Sequence, residues 1–223
     1  MNYLNSTFTG ILDLIKDEFT TVFEVGCRDC LDTINLEKYF KKANIYGFEC
    51  NPDMTNICIS NLMKYSSNRI KFFNFGLGNE ETNLEFYAYI CNNPGASSFF
   101  KRIDYNYTQQ SRGIVKLSTI SKIVNEYNID KIDLLCMDTQ GFELNILKGT
   151  NDFIKNIKYI ILEEPRKKID EKWLPKGLHS KYIGAPDANE IQKYLNDNNF
   201  IEIARTYENE LEDNVMYKNI EIN

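Results

Sequence analysis

The chain has 223 residues, of which 43% are hydrophobic, 13% aromatic and 26% charged, enough apolar material for a packed core and too much for a disordered segment. Its net charge is −6, and its 20 lysines and 6 arginines are spread along the chain rather than gathered in a stripe, which weighs against a nucleic-acid partner. No apolar run approaches the ~18 residues of a membrane span, no secretory apolar segment follows Met1, and six scattered cysteines suit reduced thiols, so the expected setting is the cytoplasm with no membrane partner.

Short apolar runs alternate with segments of helical period, the pattern of βαβ units and a mostly parallel sheet. "TVFEV" at 21–25, "IYGFE" at 45–49 and "IKFFNF" at 70–75 predict the first three strands. Residues 83–118, with "NLEFYAYI", the turn signal "NNPGASS" and "GIVKLST", break the alternation and predict an inserted hairpin and loop. Ile120, Ile123, Val124 and Tyr127 then form one apolar helical stripe, and "IDLLCM" at 132–137 and "YIILE" at 159–163 predict strands four and five. The irregular polar segment 164–187 reads as a lid or substrate-facing loop. Asp187 and Glu190 form a capping-box pair ahead of a helix, and "FIEIARTYE" (200–208) with "VMYKNIEI" (215–222) predicts a closing antiparallel hairpin. The expected whole is a single domain over 1–223: α/β, Rossmann-like, a seven-stranded mostly parallel sheet ending in an antiparallel hairpin, with helices on both faces.

Open α/β sheets bind ligands outside the carboxyl ends of their strands. Four of the five predicted ends carry a carboxylate: Glu24 beside Gly26, Glu49, Asp138, and the pair Glu163 and Glu164. Glu49 stands 25 residues beyond Glu24, near the ~20-residue spacing at which an acid grips the ribose of an adenosine cofactor. A dinucleotide would want further glycines after Gly26 so that the backbone can approach its pyrophosphate. Those positions hold Arg28 and either Cys30 or Leu31, and Asp29 would repel a phosphate. S-adenosylmethionine has the adenosine, no phosphate and a sulfonium cation, so charge selects it.

Cys27 and Cys30 form a Cys-x-x-Cys pair within the same loop. As a zinc site the pair lacks two ligands, since the sequence has no second such pair and a single histidine. As a thiol-redox motif it leaves Glu24 and Glu49 unexplained.

Several blocks in order, "FEVGCRDCLDT", "YGFECNPD", "NFGLGNEETNLEFY", "GASS", "LSTISKIV" and "IDLLCMDTQGFELNILKG", resemble the FkbM-type class I methyltransferases over roughly residues 20–165. The last block matches the family signature most specifically. The resemblance implies an S-adenosylmethionine-dependent O-methyltransferase acting on sugar, glycan or small-metabolite hydroxyls. It places Glu24, Gly26 and Arg28 in the methionine-side loop, Glu49 on the ribose, the Asn74–Gly78 turn with Asn74 and Gly76 around the adenine, and Asp138 beside the transferring methyl. Cys30 departs from the family's second glycine and Arg28 from its usual asparagine.

Catalysis needs a group that takes a proton from a weakly acidic hydroxyl. Asp138 is the first candidate base, although it could equally bind the cofactor's ammonium or cap a helix. His179, the sole histidine, and Glu164 are further catalytic candidates. Asp138, Glu163 and Glu164 together offer hard oxygen ligands for Mg²⁺ or Mn²⁺. Ser97, Ser98 and Gln140 are candidate acceptor contacts; Glu143 reads as an anchor of the following helix. A nucleic-acid methyltransferase and a non-catalytic interaction module are the competing functions, the first lacking the Asn/Asp-Pro-Pro-aromatic run after strand four.

Overall fold

The computed structural model describes residues 9–89, 94–103 and 109–222. Parts of the predicted insertion, 90–93 with Cys91 and 104–108, lie outside the described residues. The chain runs α1 (Thr9–Leu12), β1 (Thr21–Val25), α2 (Leu31–Tyr39), β2 (Asn44–Phe48), α3 (Thr55–Tyr65), β3 (Ile70–Phe73), β4 (Gly76–Leu77), β5 (Thr82–Tyr89), β6 (Gln109–Ser118), α4 (Ile120–Glu126), β7 (Ile132–Met137), α5 (Glu143–Lys148), β8 (Ile157–Pro165), α6 (Ala188–Asp197), β9 (Phe200–Tyr207) and β10 (Glu212–Asn219).

Seven strands form one sheet in the order β3-β2-β1-β7-β8-β10-β9. The first five in that order pair in parallel, and β10 runs antiparallel to both β8 and β9. Strand order therefore reverses between β1 and β7, and the crevice outside their carboxyl ends is where such sheets take ligands.

Every residue of β7 is buried, as expected of a central parallel strand covered on both faces. Its one charge, Asp133, accepts hydrogen bonds from the Thr20 and Thr21 backbone amides and the Thr20 hydroxyl. Alternate residues divide the core in two. Phe23, Leu135 and Ile160 pack with α4, α5 and α6, while Val22, Leu134 and Ile161 pack with α1 and α2. The Asp187 capping box forms as expected: Asp187 accepts from the Glu190 amide at 2.9 Å, and Glu190 accepts from the Asp187 amide at 2.9 Å.

The third strand ends at Phe73, two residues earlier than its apolar run suggests, because Gly76 and Leu77 leave the main sheet. They pair instead with Leu117 and Ser118, giving a second sheet in the order β4-β6-β5 from the predicted insertion. The predicted lid likewise begins later, since β8 extends to Pro165. Beyond it, 166–187 is fastened to the insertion: the Ile103 amide donates to Lys181, the Ile183 amide to Lys101, and the buried Tyr182 hydroxyl reaches the Ala96 carbonyl at 3.0 Å. Among the described residues no helix is long and apolar enough to cross a membrane.

Candidate functional site

A cleft opens at the reversal point. Its walls include Glu24, Gly26, Arg28 and Asp32 after β1, Glu49, Cys50 and Asn51 after β2, Gly76 and Leu77 of β4, and Asp138 and Thr139 after β7. The insertion adds Phe86, Pro94, Gly95, Ser97 and Phe99, and α5 and its approach add Phe142 and Ile146.

The loop after β1 is shaped by where it must pass. Gly26 has φ +85°, and a Cβ on it would lie 2.0 Å from the Asp138 carbonyl oxygen. Only glycine allows that approach. Gly26 and Cys27 both donate to the Phe48 carbonyl, drawing the loop across the end of β2. Arg28 (φ 49°) and Cys30 (φ 61°) then adopt the left-handed conformation that glycine or asparagine would hold more cheaply. Both departures from the family pattern thus sit at strained, left-handed positions of the loop.

Glu49 holds this loop. Its carboxylate accepts from the Arg28 amide at 2.8 Å and the Asn51 amide at 2.6 Å, and burial pushes it up to about 7. Glu24 is buried at the base of the cleft, and its Oε2 has no hydrogen-bond partner. Burial, opposed by the nearby Thr33 hydroxyl and reinforced by Asp32, Asp29 and Asp138, pushes Glu24 up to about 8; the Thr33 hydroxyl does not make a well-formed hydrogen bond to Oε2. A buried, unpartnered carboxylate oxygen at a cavity wall is costly unless a cation or donor occupies the cavity.

Asp138 stands at the other side of the reversal point, its Oδ1 accepting from Gln140 Nε2 at 2.6 Å. The same amide nitrogen donates to Glu163 Oε2 at 2.8 Å, and Gln140 Oε1 meets the Tyr182 hydroxyl at 2.5 Å. Gln140, itself left-handed at φ 55°, is thus a clamp between β7, β8 and the 166–187 segment. Burial raises both Asp138 and Glu163, each aggravated by Glu212. Glu143 ties the loop below: its Oε1 accepts from the Thr139 amide (2.9 Å) and hydroxyl (3.0 Å), the anchoring role expected of it.

Several predicted site residues lie elsewhere. Asn74 is exposed and does not line the cleft, because the chain turns between β3 and β4 there. Ser98 is buried, its hydroxyl donating to the Gln140 carbonyl at 2.8 Å, and Gln140's amide is spent on Asp138, Glu163 and Tyr182, so neither faces an acceptor. Ser97 does line the cleft, with its hydroxyl donating to the Pro94 carbonyl at 2.7 Å. His179 is exposed, and its Nε2 donates to the Ala185 carbonyl at 2.8 Å, away from the cleft walls.

Glu164 faces the opposite side of the strand from Glu163 and is enclosed by Arg205, Tyr217 and Gln192. The three-carboxylate metal set of Asp138, Glu163 and Glu164 is therefore not assembled. Among the described residues, the metal-type ligands that do converge are the thiols of Cys27, Cys30 and Cys58.

Asp32, Tyr182 and the buried ion pair Lys181–Glu212 (3.0 Å) escaped sequence reasoning. Asp32 was findable as an acid in the first turn of the helix after Gly26. Glu212 comes to the site through register alone: antiparallel pairing sets it opposite Pro165, at the carboxyl end of β8.

The family model "Methyltransferase FkbM domain" matches residues 25–202. The chain belongs to that family. The FkbM chain is 20% identical to "2-O-methyltransferase NoeI" of Sinorhizobium fredii over 74% of its length and 71% of that protein's. It is 24% identical to "Hexuronic acid methyltransferase AglP" of Haloferax volcanii over 72% of its length, spanning 61% of that relative.

Among solved structures, an S-adenosylmethionine-dependent methyltransferase from Aquifex aeolicus superposes with TM-score 0.55 at 13% identity, covering 96% of this chain and 90% of that one. TrmK of M. capricolum, solved with S-adenosyl-homocysteine, gives TM-score 0.55 at 14% identity over 97% of this chain and 69% of that one. These likenesses establish the fold of class I S-adenosylmethionine-dependent methyltransferases.

The cleft fits that cofactor on its own chemistry. Four of its lining residues are acidic (Glu24, Asp32, Glu49, Asp138) and one, Arg28, is basic; burial raises all four acids, and a bound cation would draw them back to the charged form, whereas a pyrophosphate would oppose it.

Proposed function

We propose that this FkbM domain transfers a methyl group from S-adenosylmethionine to a hydroxyl of a sugar, glycan or small hydroxylated metabolite. The unpartnered Glu24 Oε2 in an acidic, apolar-walled cleft at the strand-order reversal carries the cofactor half of the reading. TrmK's bound product, on the same fold, supports it. The acceptor half is supported by the printed activities of NoeI, a 2-O-methyltransferase, and AglP, a hexuronic acid methyltransferase.

In this reading Glu24 would hold the cationic methionine end, Glu49 the ribose hydroxyls, and Leu77, Phe142 and Cys50 the adenine. Bound there, the cofactor would supply an electrophilic methyl carbon on a sulfonium. Asp138 takes the hydroxyl proton on Oδ2, the oxygen that Gln140 does not engage. Phe99, Ser97 and Gly95 of the insertion form the wall along which the acceptor lies.

Calorimetry with S-adenosylhomocysteine tests the cofactor half: saturable binding to the native chain, weakened at least tenfold in Glu49→Ala, is expected, and no heat from the native chain overturns it. Transfer of labelled methyl from S-adenosylmethionine to a panel of free and blocked sugars tests the acceptor half. Label on hydroxyl-blocked sugars, or on amines only, would redirect it.

A further inference from the structure

Behind the cofactor loop, three thiols converge from two parts of the chain. Cys27 and Cys30 belong to the loop after β1, and Cys58 comes from the start of α3. All three are buried, their Sγ atoms lie within 4.8 Å of one another, and Cys27 and Cys30 are 3.5 Å apart. Thiolates held about 2.3 Å from one zinc-sized ion stand roughly 3.8–4.0 Å apart, in tetrahedral or trigonal geometry. The three sulfurs are within small side-chain adjustments of that spacing. The Cys-x-x-Cys pair alone offers two ligands; folding supplies the third from a residue with no suggestive spacing.

We propose that Cys27, Cys30 and Cys58 form a three-thiolate site for a soft d¹⁰ metal ion such as Zn²⁺ or Cd²⁺. Three further observations point the same way. Cys30 immediately precedes α2 and Cys58 sits in the opening turns of α3, so two helix N-termini lie beside the sulfurs and offset part of the burial that opposes their ionisation. Met54, Leu62 and Phe72 pack around the cluster, apolar surroundings that suit a soft ion. Cys27 also lines the cleft at the strand-order reversal, so the cluster lies directly behind its wall.

Binding is a ligand exchange with no redox change. The metal forms three M–S bonds, three S–H bonds break, and three protons leave to solvent, giving a site of net charge −1 for a dication. One of those protons is the Cys58 thiol hydrogen now donated to the Arg28 carbonyl at 2.9 Å.

The test uses the full chain, reduced with a phosphine, stripped with a chelator and titrated anaerobically with Cd²⁺. A thiolate-to-cadmium charge-transfer band saturating at one ion per chain with three-thiolate intensity is expected, as is competitive uptake of Zn²⁺ from a chromogenic chelator. Cys58→Ser and Cys27→Ser should each weaken uptake at least tenfold and lower the band, whereas Cys136→Ala, a buried thiol of β7, should leave both unchanged. Because a buried Cys→Ser change can unfold a chain, each variant is first checked by far-ultraviolet circular dichroism, and the native chain gives an independent arm: Zn²⁺ must raise its melting temperature in proportion to the logarithm of free metal. No band on the native chain, a band of one- or two-thiolate intensity, no melting shift, or a folded Cys58→Ser that takes up Cd²⁺ as tightly as the native chain would overturn the proposal.

Discussion

Gly26 and Asp138 touch backbone to backbone across the strand-order reversal: the space a Cβ on Gly26 would need is already filled by the Asp138 carbonyl, 2.0 Å away. The contact locks the cofactor loop to the strand end that carries the candidate base. Gly26→Ala combines a left-handed φ with a backbone clash that no side-chain rotation relieves. It is expected to cost at least about 2 kcal/mol of stability and to remove detectable S-adenosylhomocysteine binding. Denaturant unfolding and calorimetry check both; a variant that binds normally would show that the loop can stand off from β7.

Glu24 makes the unliganded protein sensitive to pH in an unusual direction. Its folded value of about 8, and those of Glu49 and Glu143 at about 7, lie above the ordinary carboxylate range because burial disfavours the charge. The folded state therefore binds more protons than the unfolded one between about pH 4.5 and 8, and stability is expected to fall as pH rises through that window. Carboxyls held low by their partners, such as Asp17, Glu37 and Asp133, act in the opposite sense at lower pH, so the range 5.5–8.5 isolates the effect. The melting temperature should drop across that range and Glu24→Gln should flatten the drop while weakening cofactor affinity roughly tenfold or more, the scale of a charged hydrogen bond.

The strands were legible because their ends coincide with changes of residue type: "TVFEV" and "IDLLCM" are buried runs bounded by Gly26 and Asp138, and both matched to the residue. Glu24 and Glu49 were legible for a related reason, since a carboxylate ending an apolar run has few purposes other than a ligand or a cap. What could not be read was anything set by the pairing of distant segments. Cys58 joins Cys27 and Cys30 through the packing of α3 on the first loop, and Glu212 reaches the site through the β8–β10 register. Glu163 and Glu164 look equivalent in sequence, and only the pleat sends one to Gln140 and the other to Arg205.

Asp138→Asn separates chemistry from binding. The amide keeps the shape and can still bond Gln140 after a flip, but it cannot accept the hydroxyl proton. Methyl transfer is expected to fall by roughly 10²–10⁴-fold while product affinity stays within a few-fold. In the native enzyme, burial raises Asp138 to about 6, so kcat/KM should rise through that pH and level off above it, the base being active only when deprotonated. An unchanged rate in the variant would hand the proton to another group.

Tyr182→Phe probes the clamp. It leaves the Gln140 Oε1 and the Ala96 carbonyl without the hydroxyl they share, both in buried surroundings. A loss of about 1–3 kcal/mol is expected, the cost of a buried acceptor left unpaired. If Gln140 then loosens its hold on Asp138 and Glu163, the acid limb of the pH–rate profile shifts along with the stability; a stability loss with an unmoved limb would confine Tyr182 to fastening the 166–187 segment.

Glu164→Gln is the counterpart of Asp138→Asn, since both carboxylates end apolar strands at the same sheet edge. Glu164 is fully enclosed, paired with Arg205 and accepting from Tyr217 at 2.9 Å and Gln192 at 3.0 Å. Removing its charge leaves the Arg205 guanidinium with Glu202 and Asp213, both more exposed, so the variant is expected to lose about 3 kcal/mol or less of stability, toward the low end for breaking a buried pair from one side. Because none of its partners lines the cleft, kcat and KM at a temperature well below the melting point should stay within about twofold of the native values, a limit set by the ordinary reach of a distant charge in water. Steady-state kinetics and urea unfolding on the same preparation decide the matter: a large fall in kcat with native stability would return Glu164 to the catalytic group, and the strand's pleat would no longer describe how the site is divided.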